Sequence, residues 1–126
     1  MHRLWLVAGS LAMLVGLMLA AATRHGTEGT MTAPGRHALD TARELLLIHA
    51  LALVAVGLAR SRNRRDRLMD AAGTAFLAGI VMFPGAIHAV HLLGLDAVRP
   101  VIPVGGMTFM LGWALFGLGA WRGAAD

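Results

Sequence analysis

Residues 4–22 read LWLVAGSLAMLVGLMLAAA, nineteen residues without a charge. As an α-helix this stretch is about 28 Å long, which is enough to cross the hydrocarbon layer of a bilayer. Because Arg3 precedes it and alanines end it, a cleaved secretory signal is the competing interpretation. The stretch is longer than the usual signal core, and small residues recur along it at intervals of four, at Ala8, Ala12, Gly16 and Ala20. Since such a ladder packs closely against another helix, we predict a membrane-spanning helix here.

Three further apolar stretches follow, and charge is confined to the segments between or beside them. Of the whole chain 57% is hydrophobic and only 14% is charged, a balance typical of a protein embedded in lipid. We predict an all-α integral membrane four-helix bundle that forms a single transmembrane domain over residues 1–126. The predicted spans are residues 4–22, 39–59, 70–93 and 104–121.

Local signals add detail to three of these helices. Asp70 is a candidate N-cap for the third span, because an Asp side chain at that position accepts hydrogen bonds from unpaired backbone N–H groups. Pro84 and Gly85 interrupt the same span, so a kink is expected there. Trp5 and Trp121 lie near the ends of their spans, where interfacial aromatic residues collect.

The distribution of Arg predicts the orientation. All of the 11 basic residues are Arg, and five of them lie between the second and third spans, at Arg60, Arg62, Arg64, Arg65 and Arg67. The positive-inside rule places this loop in the cytoplasm, and Arg3 and Arg122 then fall on the same side, so both termini are predicted to be cytoplasmic. A net charge of +4 would suggest nucleic-acid binding in a soluble protein, but a cytoplasmic loop accounts for it, and no nucleic-acid partner is predicted.

The last third of the chain carries a recognisable signature. It consists of Pro103-Val104-Gly105-Gly106 followed by Gly112-Trp113-Ala114-Leu115. These residues resemble the YgdD-like small inner-membrane protein family, domain of unknown function 423, whose relatives include transmembrane protein 256. The resemblance implies a four-helix protein of the bacterial inner membrane, and it implies no reaction.

Two upstream segments extend the resemblance. Glu44 together with His49-Ala50-Leu51-Ala52 is similar to the family's Glu-Tyr-Gln-x-x-His segment, and Phe83 with Gly85 is similar to its Phe-Ser-Gly-Ser motif. The chain also departs from the family pattern, since Leu45 and Leu46 replace Tyr-Gln, Pro84 replaces a Ser, and His88 stands where Tyr is common. The departures indicate a divergent relative.

Ionisable residues within the predicted spans form the candidate site, which comprises Asp40, Glu44, His49, His88 and His91. Such groups are costly in lipid and usually face the bundle interior or each other. Glu44 and His88 each lie about 7 to 8 Å inside the same boundary of the membrane, counted along the helix rise. We therefore predict that they face each other or a shared aqueous pocket, with Asp40 and His91 one turn nearer the surface.

Several functions could use this set. His88, His91 and Glu44 have the ligand types of a divalent metal site. His49 and His88 could bind a haem or a quinone, although they differ in depth by about 8 Å. A small channel or carrier lined by Glu44, His49 and His88 is a third alternative. The remaining interpretation is a purely structural one, in which these residues make hydrogen bonds that set the helix register.

Neither a nucleophile triad, a paired-carboxylate site nor a cofactor fingerprint is recognisable, and the chain has no Cys. We therefore favour a structural or accessory subunit of a membrane assembly, not an enzyme, with no cofactor predicted. Haem, quinone or a divalent metal remain the alternatives. The lipid bilayer is the expected surrounding, and other membrane subunits or a second copy of the chain are the candidate partners.

Overall fold

A computed structural model describes residues 2–26, 31–62 and 67–123, and it is helical along nearly all of them. Helix α1 spans His2–Gly26, α2 spans Ala33–Arg62, and α3 spans Arg67–Ile80. A π-helical segment, Val81–Gly85, connects α3 directly to α4, Ala86–Leu93. After a short 3₁₀ turn at Asp96–Val98, α5 spans Val101–Gly123. The described residues contain no β-strand.

Four helical units are long and apolar enough to cross a membrane: α1, α2, the continuous α3–α4 unit and α5. The prediction of an all-α membrane protein with four spans is therefore confirmed. Most helices extend beyond the predicted spans, because a helix continues through the interfacial region after it leaves the hydrocarbon. Thus α2 begins at Ala33 rather than at residue 39, with Pro34 in its first turn, where a missing N–H leaves no hydrogen bond unmade.

The helix pairs with extensive contacts are α1 with α2, α3 with α5, and α2 with α3. Leu53, Val56 and Phe76 are fully buried where these pairs meet. Small residues let α1 approach α2, since a Cβ added to Gly9 would lie 2.7 Å from the Ala50 carbonyl oxygen. The predicted small-residue ladder lies on this face of α1, where Ala8 and Ala12 pack against the core and Gly16 is buried against α2. The packing prediction for the ladder is confirmed at these three residues.

The interruption predicted at Pro84 takes the form of the π-helical segment. Proline has no N–H to donate to the preceding turn, so the helix must rearrange its hydrogen bonds locally, and a π segment is one such rearrangement. Helix α5 lies directly against it, because a Cβ added to Gly105 would be 2.6 Å from the Phe83 backbone nitrogen. Gly106 makes only an ordinary contact with the Phe83 ring. Of the two consecutive glycines, Gly105 is therefore the one that lets the helices approach closely.

Candidate functional site

Three helices meet at one carboxylate at the end of the bundle where α2 ends and α3 begins, which we call the Arg-rich end. Arg60 Nε donates to Asp70 Oδ1 at 2.8 Å, and Arg60 Nη2 donates to Oδ2 at 2.7 Å. Trp5 Nε1 donates to Oδ1 at 3.0 Å. The Arg60 side chain is only 7% exposed and that of Asp70 22%, so the two-point ion pair is largely shielded from its surroundings. These contacts join α1, α2 and α3.

This Trp5–Arg60–Asp70 cluster corrects two interpretations made from the sequence. Helix α3 begins at Arg67, so Asp70 lies inside its first turn and accepts hydrogen bonds from side chains rather than capping the helix. Arg60 is a buried ion-pair partner rather than only a loop charge, and Trp5, near the start of α1, is 3% exposed. One signal was available: Arg60 lies in the last turn of α2 and Asp70 in the first turn of α3, and consecutive spans run antiparallel, so both residues lie near one level of the membrane.

His49 lies in the middle of α2 and is 3% exposed. Its ring stacks on Phe109 of α5, with 3.5 Å between ring centroids and an angle of 10° between the ring planes. Phe76 of α3 and Trp113 of α5 also border it, with centroid distances of 5.6 and 6.0 Å. The imidazole therefore sits inside an aromatic cluster formed by three spans.

Both nitrogens of His49 are occupied. Nδ1 is 2.7 Å from the Leu45 carbonyl oxygen, and the Trp113 indole Nε1 donates to Nε2 at 3.1 Å. A carbonyl can only accept and an indole N–H can only donate, so the proton must be on Nδ1 and the lone pair on Nε2. His49 is thus a neutral imidazole with both hydrogen bonds made. A haem iron or metal ion at Nε2 would have to displace the Trp113 indole.

His88 is also buried, at 9% exposure, but its surroundings differ. Its Nδ1 donates to the Pro84 carbonyl oxygen at 2.6 Å, one turn earlier in the α3–α4 unit. The side chain lines an apolar groove of about 490 Å³ in the half of the bundle away from the Arg-rich end. Val15 and Leu19 of α1 and Leu46 of α2 form the facing wall.

The other members of the predicted set lie nearer the surface. Asp40 forms an ion pair with Arg43 at 3.1 Å, one turn along α2, and Glu44 is exposed on the same helix. His91 is half-buried in the last turn of α4. Among residues 2–26, 31–62 and 67–123, no hydrogen bond or ion pair joins Glu44 to His88. Counting residues predicts the depth of each group, but it does not predict the rotation of each helix about its axis.

The divalent metal site considered as an alternative is likewise not assembled within the described part of the chain. No three His, Asp or Glu side chains there are placed to hold one ion. His88 and His91 also differ in their surroundings. His88 is buried and lines the groove, whereas His91 is half-buried near the end of α4 and does not line it. The residues that the structure brings together are therefore His49 with Trp113, and Arg60 with Asp70 and Trp5.

Comparison with known proteins gives one consistent family. The sequence profile of the family described as "Protein of unknown function (DUF423)" matches residues 19–106. The UPF0382 inner membrane protein YgdD of Escherichia coli (strain K12) is 33% identical over 121 residues, which cover 95% of this chain and 91% of the relative.

Two more distant relatives agree with this result. A UPF0382 membrane protein of Haemophilus influenzae is 26% identical over 82% of this chain and 82% of the relative. The UPF0382 membrane protein YwdK of Bacillus subtilis (strain 168) is 24% identical over 90% of this chain and 92% of the relative. No solved structure matches the chain.

Proposed function

The chain belongs to the DUF423 family of membrane proteins, and we propose that it is a non-catalytic structural or accessory protein of the inner membrane. One observation carries the proposal: His49, an ionisable side chain in the middle of the spans, uses both ring nitrogens in hydrogen bonds, one within α2 and one that joins α2 to α5. A catalytic or ligand-binding imidazole needs a free lone pair or a proton that it can release. His49 has neither without breaking a helix contact.

The cluster at the Arg-rich end supports the same proposal. Arg60 and Asp70 satisfy each other's charges, and Trp5 satisfies a further lone pair of the carboxylate. Such closed networks within a membrane fix helix positions, because an unpaired partner would be costly in lipid. The proposal therefore includes no cofactor, and these polar residues hold helices together rather than perform chemistry.

The accessory role is supported by the apolar outer surface of the bundle. Helices α1 and α5 bury few residues, and α5 presents an apolar face with Met110 and Trp121 largely exposed. Lipid covers this face in a membrane, and a further membrane subunit or a second copy of the chain has room to pack there.

Reconstitution tests the proposal against the channel or carrier alternative. Purified protein in liposomes loaded with a pH-sensitive dye should leak protons and potassium ions no faster than empty liposomes. Trp113→Phe, which frees Nε2 of His49, should behave in the same way, because the imidazole still lies between the Phe76 and Phe109 rings. A leak that the wild-type protein supports and that His49→Leu abolishes would contradict the proposal.

The cofactor alternatives are tested on the same preparation. We expect no Soret absorbance, no extractable quinone and far less than one metal ion per chain in protein purified in a mild detergent. Haem, quinone or metal present at one per chain, and lost in His49→Leu or His88→Leu, would replace the structural role by a cofactor-binding one.

A further inference from the structure

We propose that the groove beside His88 binds a long-chain carboxylic acid, with the acid group on Nε2 of His88 and the acyl chain along the apolar walls. The groove holds about 490 Å³, and His88 is the only ionisable side chain among the described residues that line it. The site does not depend on whether the protein acts alone or as an accessory subunit.

The walls of the groove suit an acyl chain. They are formed by aliphatic and small residues of the spans, among them Val15, Leu19, Leu46, Ile80, Met82 and Ala89. Val81, which also lines the groove, is 65% exposed, so the groove opens to the surroundings of the bundle, which are lipid in a membrane. An apolar chain can therefore enter from the bilayer without crossing water.

His88 supplies one polar atom with a defined role. Because Nδ1 donates to the Pro84 carbonyl oxygen, the neutral imidazole has its lone pair on Nε2. Among residues 2–26, 31–62 and 67–123, no group forms a hydrogen bond with Nε2, and every fully buried side-chain nitrogen or oxygen there has a partner, so Nε2 keeps some accessible surface. An accessible acceptor that no group of the protein uses can receive a hydrogen bond from a donor on a ligand.

This acceptor discriminates between lipid classes. Ester carbonyls, quinone carbonyls and phosphates only accept hydrogen bonds, so none of them pairs with a neutral Nε2. A carboxylic acid donates its O–H to Nε2, and transfer of that proton leaves a carboxylate that accepts from the imidazolium N–H. The acid therefore keeps its hydrogen bond in both proton arrangements and forms an ion pair after proton transfer, whereas the hydrogen bond of an alcohol or a quinol gains no such charge assistance.

The depth and the charges nearby agree with an acid rather than a phospholipid headgroup. His88 lies about 7 to 8 Å inside the end of α4 at Leu93, below the level of phosphate groups. Arg99, on the connection that borders the groove at Val98, is already paired with Asp96 at 2.6 Å.

Displacement of a fluorescent fatty acid tests the site. The protein in nanodiscs is loaded with cis-parinaric acid, with empty nanodiscs as the blank, and is titrated with palmitic acid, methyl palmitate or hexadecanol. We expect palmitic acid to displace the probe at about tenfold lower concentration than methyl palmitate, the effect of one hydrogen bond. Equal displacement by acid and ester, displacement by hexadecanol as effective as by the acid, or no binding of the probe would each overturn the proposal.

Three variants locate the effect. His88→Leu should lose the preference for acid over ester while still binding the ester, and Ala89→Phe, which fills the groove, should lose both ligands. His91→Leu is the matched control, since His91 is on the same helix but does not line the groove, and it should behave as the wild type. An undiminished acid preference in His88→Leu would overturn the assignment. The comparison of acid and ester on the wild-type protein remains decisive if a variant fails to fold.

Discussion

The two halves of the bundle solve the problem of polar groups in lipid differently. At the Arg-rich end, Arg60, Asp70 and Trp5 form a closed cluster that ties three helices together. In the opposite half, His88 makes one hydrogen bond within its own helix and lines an apolar groove. The difference suggests that one end holds the architecture while the other end is left available to a ligand, because the described residues leave Nε2 of His88 accessible and without a hydrogen bond.

The largest expected effect comes from breaking the ion pair. Asp70→Asn removes the negative charge beside Arg60 and should lower the free energy of unfolding by about 3 kcal/mol, because a buried Arg is left without its counter-charge. Denaturation in detergent, followed by circular dichroism, measures this loss.

Asp96→Asn is the matched control, since its ion pair with Arg99 is exposed and should contribute less than about 1 kcal/mol. The double variant Arg60→Leu with Asp70→Leu should be more stable than either single variant, because no uncompensated charge remains. If Asp70→Asn and Asp96→Asn unfold at the same denaturant concentration, the cluster does not hold the Arg-rich end.

The opposite half is held by close backbone approach instead of charge. Gly105→Leu should lower the free energy of unfolding by about 2 kcal/mol, because its Cβ would meet the backbone of the π-helical segment, which cannot give way as a side chain can. The loss should not change with salt concentration.

Gly117→Ala provides the comparison, since a Cβ there meets nothing within 4 Å, and it should leave stability unchanged or slightly raised. A Gly105→Leu variant with wild-type stability would mean that α5 and the π-helical segment are farther apart than described.

The contact between α2 and α5 in the middle of the bundle is probed at Trp113. Trp113→Phe keeps an aromatic ring but removes the N–H that Nε2 of His49 accepts, so we expect a loss of about 1 to 2 kcal/mol. Trp121→Phe is the control, because that side chain is 75% exposed, and it should be neutral. Equal stability of the two variants would show that His49 finds another donor.

Which end of the bundle faces the cytoplasm is tested by a topology reporter, and no change in stability is expected. The Arg count predicts that the Arg-rich end faces the cytoplasm, so a reporter fused after Asp126 that is active only in the cytoplasm should be active. Activity only of a reporter that requires export would reverse the assignment of the two ends.

The sequence predicted some residues of the groove and of the His49 cluster but not their partners. His49 and His88 stood out because ionisable residues are rare in spans, and both are buried. Their partners could not be derived, since Trp113 lies 64 residues from His49 and Trp5 lies 65 residues from Asp70. Such contacts depend on how far each helix is rotated about its axis, and residue counting contains no information on that angle.

The sequence by itself determined the solvent and the architecture. Uncharged stretches as long as a bilayer is thick leave few alternatives to helices, since every backbone N–H and C=O must find its partner inside the helix. It also identified the tight packing sites, because glycine and alanine at intervals of four allow helices to approach. Only the tertiary structure decided that Glu44 is exposed, that His49 is sealed among aromatic rings and that His88 faces a groove. Those outcomes are set by helix rotation and by the π-helical segment at Pro84, which depend on the packing of all four spans at once.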